Sequence, residues 1–241
     1  MINHIPERSA LVVLAEQEPH DLRVELSRFP SQRVTIYGTP ENLSALSDYP
    51  EMEEVSLRKC KIADLRALRG LSRLRRLEVA FGSLASVDVG FCRDTLESLA
   101  LSRLRHLKDL SALPFMPKLE YLELSHLHGF LPPDFRSFPN VRHLSIWNTD
   151  WSTLGWLEHL PMLEALHISQ SKVADQDWRP ILQLKRLRYL HGMKDVFKSA
   201  AAREFMRLRP EVRVDQGIPA DLEKHPDVRE YLETLDREKG G

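Results

Sequence analysis

Only two cysteines, Cys60 and Cys92, occur in 241 residues, so neither a disulfide framework nor a paired CxxC metal site can be drawn. A surplus of charge of one sign is also missing. The chain has 34 Lys and Arg against 35 Asp and Glu, a net charge of −1, and no global field steers it to nucleic acid or membrane. Long apolar runs are absent, and nothing approaches a transmembrane span. The early run ALVVLA at residues 10 to 15 is short for a secretory core and is followed by Glu16 and Glu18. These absences lead to the expectation of a reducing, cytoplasmic location and no bound cofactor or metal. Hydrophobic residues nevertheless make up 42% of the chain, enough for a sizeable core in one elongated domain or two small compact ones.

What the sequence does have is a period. LEYLEL from 119, VRHLSI from 141 and LEALHI from 163 share one pattern: apolar, two variable, apolar, one variable, apolar. MEEVSL from 52, LRRLEV from 74, LESLAL from 96 and LRYLHG from 187 extend it, and SALVVL from 9, SQRVTI from 31 and RPEVRV from 209 are weaker copies. Successive starts are 22, 21, 22, 22, 23, 22, 22, 24 and 22 residues apart, a regularity that marks a repeat architecture. Between copies, the leucines of IADLRALRGLSR, LRHLKDLSALPFMPK and WSTLGWLEHLPM recur by threes, the spacing of 3₁₀ or short helical turns.

LxxLxL at a step near 22 resembles the leucine-rich-repeat family, in the short-repeat class of phosphatase regulatory subunits and internalins. The match covers residues 52 to 190 most strongly. The resemblance implies an α/β, curved solenoid with a parallel sheet on the concave face and 3₁₀ or short helices on the convex face. The family's ninth position often carries Asn, Cys or Thr to satisfy the backbone of the turn after the strand. Cys60, Thr149 and Ser171 fit that role, whereas Gly82, Leu104 and Leu127 do not, and irregular loops are expected near Gly129, Pro132 and Pro133. The organisation reads as degenerate N-terminal repeats or cap over residues 1 to 50, the solenoid over 51 to 214, and a C-terminal helical cap or tail over 215 to 241. LRVELSRFP reads as a return segment, AREFMRLRP as an amphipathic helix, and HPDVREYLETLDRE as a capping helix with Val228, Tyr231, Leu232 and Leu235 on one stripe.

Strand side chains alternate, so positions one, four and six point to the core and three, five and seven to the concave face. Position three runs Glu54, Arg76, Ser98, Tyr121, His143, Ala165, Tyr189. Position five runs Ser56, Glu78, Ala100, Glu123, Ser145, His167, His191, and position seven runs Arg58, Ala80, Ser102, Ser125, Trp147, Ser169, Met193. Early repeats offer charge, middle ones small residues, and later ones aromatics and histidines. Exposed Trp and Tyr are frequent binding hot spots. The face is therefore read as a non-enzymatic surface for a protein partner, an adaptor, regulator or inhibitor. Arg58, Arg76, Tyr121, Glu123, His143, Trp147, His167, Tyr189 and His191 are its candidate contacts, while Trp151, Trp156 and Trp178 fall on the return side with structural roles.

Two other readings stand beside it. One is a metal-dependent or hydrolytic centre on His143, His167 and His191, but zinc wants three or four converging ligands, and no HExxH motif or catalytic order is present. The other is nucleic-acid binding through the basic block from Arg58 to Arg76 (Arg58, Lys59, Lys61, Arg66, Arg69, Arg73, Arg75, Arg76). The repeat scatters that block over several faces.

Overall fold

A computed structural model describes residues 10–15 and 21–215. Because the apolar residues of each copy alternate with polar ones, each copy buries one strand face and needs a neighbour above and below to complete the core. The result is a parallel sheet in which the strands follow chain order: β1 (Ala10–Leu14), β2 (Arg33–Tyr37), β3 (Glu54–Arg58), β4 (Arg76–Ala80), β5 (Ser98–Ser102), β6 (Tyr121–Ser125), β7 (His143–Ser145), then β9 (Ala165–His167), β11 (Tyr189–His191) and β12 (Arg213–Val214). Two short strands, β8 (Asp150–Trp151) and β10 (Lys172–Val173), form a separate parallel pair just beyond the turn. The returns are 3₁₀ turns at Leu43–Asp48, Arg66–Leu68, Gly90–Cys92, Phe135–Ser137 and Gly155–His159, and helices α1 (Leu22–Arg28), α2 (Arg179–Leu182), α3 (Met193–Val196) and α4 (Ser199–Leu208). No described helix is long and apolar enough to cross a membrane.

Register agrees with the repeat through the middle of the chain. Arg33, Glu54, Arg76, Ser98, Tyr121, His143, Ala165 and Tyr189 form one cross-strand row. Leucines and valines at positions four and six are buried in one continuous cluster, each fully buried side chain stabilising by about 1.5–3 kcal/mol. The outer copies differ from the expectation. Ala10 pairs with Arg33, the third residue of its copy, so the first copy starts at 8 rather than 9, and Leu11 and Val13 point inward. Arg213 pairs with Tyr189, so the last copy starts at 211 rather than 209. Met193 also leaves its expected column: the strand stops at His191, Gly192 turns the chain, and Met193 is buried at the start of α3. The helix expected after residue 225 lies outside the described residues.

After β3, β4, β5, β6, β7 and β9, position eight carries a residue with left-handed backbone: Lys59, Phe81, Arg103, His126, Asn148 and Gln170, at φ between 48° and 57°. From Lys59 to Asn148, this residue's N–H donates to the position-seven carbonyl of the next copy at 2.9–3.1 Å, which joins the turns into a ladder. Position nine then behaves as the resemblance implies where it can. Cys60 Sγ donates to the Gly38 carbonyl (2.8 Å), Thr149 Oγ1 to the Leu124 carbonyl (2.8 Å), and Ser171 Oγ to the Ile146 carbonyl. Leu104 and Leu127 instead bury in the core, and Gly82 lies where a Cβ would stand 2.8 Å from the Cys60 carbonyl. Near Gly129, whose φ is +59°, the chain re-forms order through Leu110 N–H donating to the Leu131 carbonyl and Leu131 N–H to that of Lys108.

Thr149→Val keeps the shape but removes the donor to a buried carbonyl, so a loss of about 1–3 kcal/mol is expected in urea unfolding. A loss below a few tenths would mean the turn is held by the backbone ladder alone.

Candidate binding face on the sheet

The strand alternation that buries the leucines lifts positions three, five and seven onto the opposite, concave face, where their side chains meet across neighbouring strands. At the β2–β4 end these contacts are ionic. Arg33 and Arg76 both reach Oε1 of Glu54, at 3.3 and 3.6 Å. Arg58 clasps Glu78 with Nη2 at 2.8 Å and Nε at 3.2 Å, Ser56 Oγ donates to the same carboxylate at 2.7 Å, and the Arg58 guanidinium lies over the Tyr37 ring. On β6, Tyr121 Oη donates to Glu123 at 3.1 Å. At the rim, Arg103 stacks over Phe81 at 5.2 Å, and His126 packs edge-on against Trp147 at 4.6 Å.

Between these two groups lies a groove of about 200 Å³. Its floor is small, with Ala80, Ser98, Ala100 and Ser102, and its walls carry Arg58, Arg76 and Glu78 on one side and Tyr121, Glu123 and Trp147 on the other. Thus five of the nine residues read from the sequence meet in one place: Arg58, Arg76, Tyr121, Glu123 and Trp147. Arg33, Glu54, Phe81 and Arg103 also line the groove, although the sequence singled none of them out as a contact. Phe81 and Arg103 occupy position eight, and the signal that finds them is the recurrent left-handed turn that holds position eight at the rim.

The other four expected contacts are placed differently. His143, His167 and Tyr189 are only 5–6% exposed and none lines the groove; Tyr121, expected to be exposed, is buried to the same degree at 5% but does line it. His167 lies 4.8 Å from the His191 ring, ring centre to ring centre, and its Nδ1 stands 3.4 Å from Ser145 Oγ. His191 Nδ1 is 4.0 Å from Asp215. Among the described residues, no three His, Cys, Asp or Glu side chains converge as metal ligands would. The basic block also disperses. Arg66 pairs with Asp64, Arg69 with Asp88, Arg75 with Glu97 and Arg76 with Glu54, so these four cations are matched on several faces. Trp151 and Trp156 pack on the return side with Phe135, which stacks on Trp156 at 4.0 Å, and Trp178 meets Phe205.

Burial acts on the histidines of this face. It lowers His126 to about 4, helped by Arg103 and then His128, and it lowers His167 well below the ordinary value, helped by His191. Both are neutral at pH 7. Between pH 6.5 and about 4 the unfolded chain binds a proton at His126 that the folded chain refuses, so stability falls as pH drops through that window. His126→Asn, which suits the left-handed turn, is expected to flatten the pH dependence between pH 6.5 and about 5, as measured by chemical denaturation. An unchanged slope would show that His126 titrates normally in the fold.

No protein-family model matches the sequence, and no curated protein matches it. Solved structures do. Internalin C2 of Listeria monocytogenes superposes with a TM-score of 0.57 at 19% identity, over 80% of this chain and 82% of its own. Internalin F of the same organism gives 0.58 at 18%, over 86% and 66%. A leucine-rich-repeat protein of Leptospira interrogans gives 0.52 at 16%, over 76% of this chain and 47% of that one. At these identities the likeness is one of fold, and the fold is the leucine-rich-repeat solenoid.

Proposed function

We propose that the chain is a non-enzymatic protein-binding module that grips its partner in the concave groove, and that it works in a reducing, cytoplasmic compartment. The observation that carries this reading is the groove itself. Arg58, Arg76, Tyr121, Glu123 and Trp147, drawn from three strands and the turn after β7, surround a floor of alanine and serine with room for an inserted side chain. Small residues beside large aromatics and charges give the apolar centre and polar rim of a protein interface. Held by a continuous core, the groove is preorganised, which spares a partner much of the ordering cost of binding. Buried free thiols at Cys60 and Cys92 suit the reducing compartment; burial raises Cys92 to about 12, so it stays a thiol.

A displayed random-peptide library, selected on the wild type, tests the reading. Binding of selected peptides is expected to drop roughly thirtyfold in Trp147→Ala, about 2 kcal/mol, and to vanish in Ala100→Arg, which fills the floor. Peptides that bind both variants as tightly as the wild type would place the binding surface elsewhere.

A further inference from the structure

We infer that the partner segment is acidic and extended, and that it carries one bulky apolar side chain into the groove. This inference rests on the protein-binding reading above and adds the chemistry of the partner. The first ground is charge. The chain as a whole carries −1, yet the groove is lined by Arg33, Arg58, Arg76 and Arg103 against Glu54, Glu78 and Glu123, four to three. The neutral His126 adds no charge near pH 7. A positive face on a molecule of opposite net sign selects and steers an acidic partner.

The second ground is donor geometry. Arg33 and Arg76 converge on a single carboxylate oxygen of Glu54. Each guanidinium carries five N–H donors in a planar fork, so a partner carboxylate can join this cluster as a second acceptor without breaking the first pair. Arg103, its guanidinium carbon 5.2 Å from the centre of the Phe81 ring, adds a cation at the rim of the groove.

The third ground is shape. Phe81 is 52% exposed beside the groove, an apolar ring left in water at the mouth of a floor made of Ala80, Ala100 and Ser102. A bulky side chain seated on that floor covers Phe81 and meets Trp147 across the slot. From β2 to β7 the sheet advances five strand spacings of about 4.8 Å, roughly 24 Å, which an extended segment crosses in about seven residues. A phosphodiester chain fits less well. It carries a charge at every unit and would meet Glu54, Glu78 and Glu123 in turn, whereas a peptide can place its carboxylates opposite the arginines alone.

The test uses the full chain and two synthetic peptide sets of about seven residues with the same central aromatic or aliphatic residue. One set alternates Asp and Glu with it, the other Lys and Arg, and binding is followed by fluorescence anisotropy at low and physiological salt. The acidic set is expected to bind about tenfold or more tightly than the basic set and to weaken as salt rises. Arg33→Gln/Arg76→Gln should lower acidic-peptide affinity about tenfold, and Glu54→Gln, which removes only the competing carboxylate, should raise it. Tighter binding of the basic set, no binding of any acidic peptide, or a single-stranded RNA that displaces the acidic peptides at equal concentration overturns the inference. If basic peptides win and lose their binding in Ala100→Arg, the charge assignment fails while the groove stands. Peptides indifferent to Ala100→Arg and Trp147→Ala remove both.

Discussion

Gly192→Ala is expected to destabilise the protein by about 3 kcal/mol or more, chiefly at its C-terminal end. Gly192 has φ +90°, a region that side-chain-bearing residues rarely adopt, and a Cβ there would stand 2.3 Å from the Ser169 nitrogen and 2.5 Å from its Cα. Those are backbone atoms of the preceding repeat and cannot step aside as a flexible side chain could. The same residue's N–H donates to Asp215 Oδ1 at 2.6 Å, so its displacement also loosens the tie to the end of β12. Gly129→Ala is the control. Its φ of +59° is comparable, but nothing lies within 4 Å of its Cβ position, so about 1 kcal/mol of backbone strain is all that should be lost. Urea unfolding supplies the two values, and amide exchange locates the loosening at β9, β11 and β12. Equal losses at the two glycines would show that the close approach to Ser169 is relaxed at little cost.

Phe135→Ala is expected to cost about 3–5 kcal/mol. Its ring is buried, stacks on Trp156 at an interplanar angle of 13°, and packs at 5.9 Å from Trp151 and 6.2 Å from Phe138. Truncation leaves a cavity between two successive returns in the middle of the stack. Repeat stability is a sum of neighbour interfaces, so a weakened central interface lets the two halves melt apart. Tryptophan emission should shift to the red as Trp156 loses its cover, and the unfolding transition should broaden or split. A loss below about 1 kcal/mol with unchanged emission would mean the returns collapse to fill the gap.

How much of this was legible depended on where the alternation is clean. From Met52 to Leu190 the apolar residues at positions one, four and six admit one register, because a slip of one residue turns every leucine outward. The first copy lacks that protection. ALVVLA is apolar throughout, so its phase could not be read, and the strand pairing shifts it by one residue. Before the last copy the return contains two helices, α3 and α4, and Val212 and Val214 satisfy the alternation in either frame. In the groove, Arg58, Arg76, Tyr121, Glu123 and Trp147 were readable from position alone. The burial of Tyr121, His143, His167 and Tyr189 was not, because it depends on how neighbouring side chains lean across a concave sheet. The pairing of Arg33 and Arg76 through Glu54 becomes visible only once the strands are set side by side.

The turn ladder has a bearing on how such a surface changes. A left-handed residue with a side chain costs about 1–2 kcal/mol relative to glycine, somewhat less for asparagine. Six successive rungs carry Lys, Phe, Arg, His, Asn and Gln in that conformation. Where the ladder bond forms, the bend is imposed by a main-chain N–H meeting a main-chain carbonyl, with no part taken by the side chain. The strain is therefore set by the backbone and is similar for the side chains found there, asparagine being somewhat cheaper. The rim works as a keyboard whose letters can be exchanged one at a time while the mechanism beneath stays fixed, and recognition can drift there without the leucines having to follow.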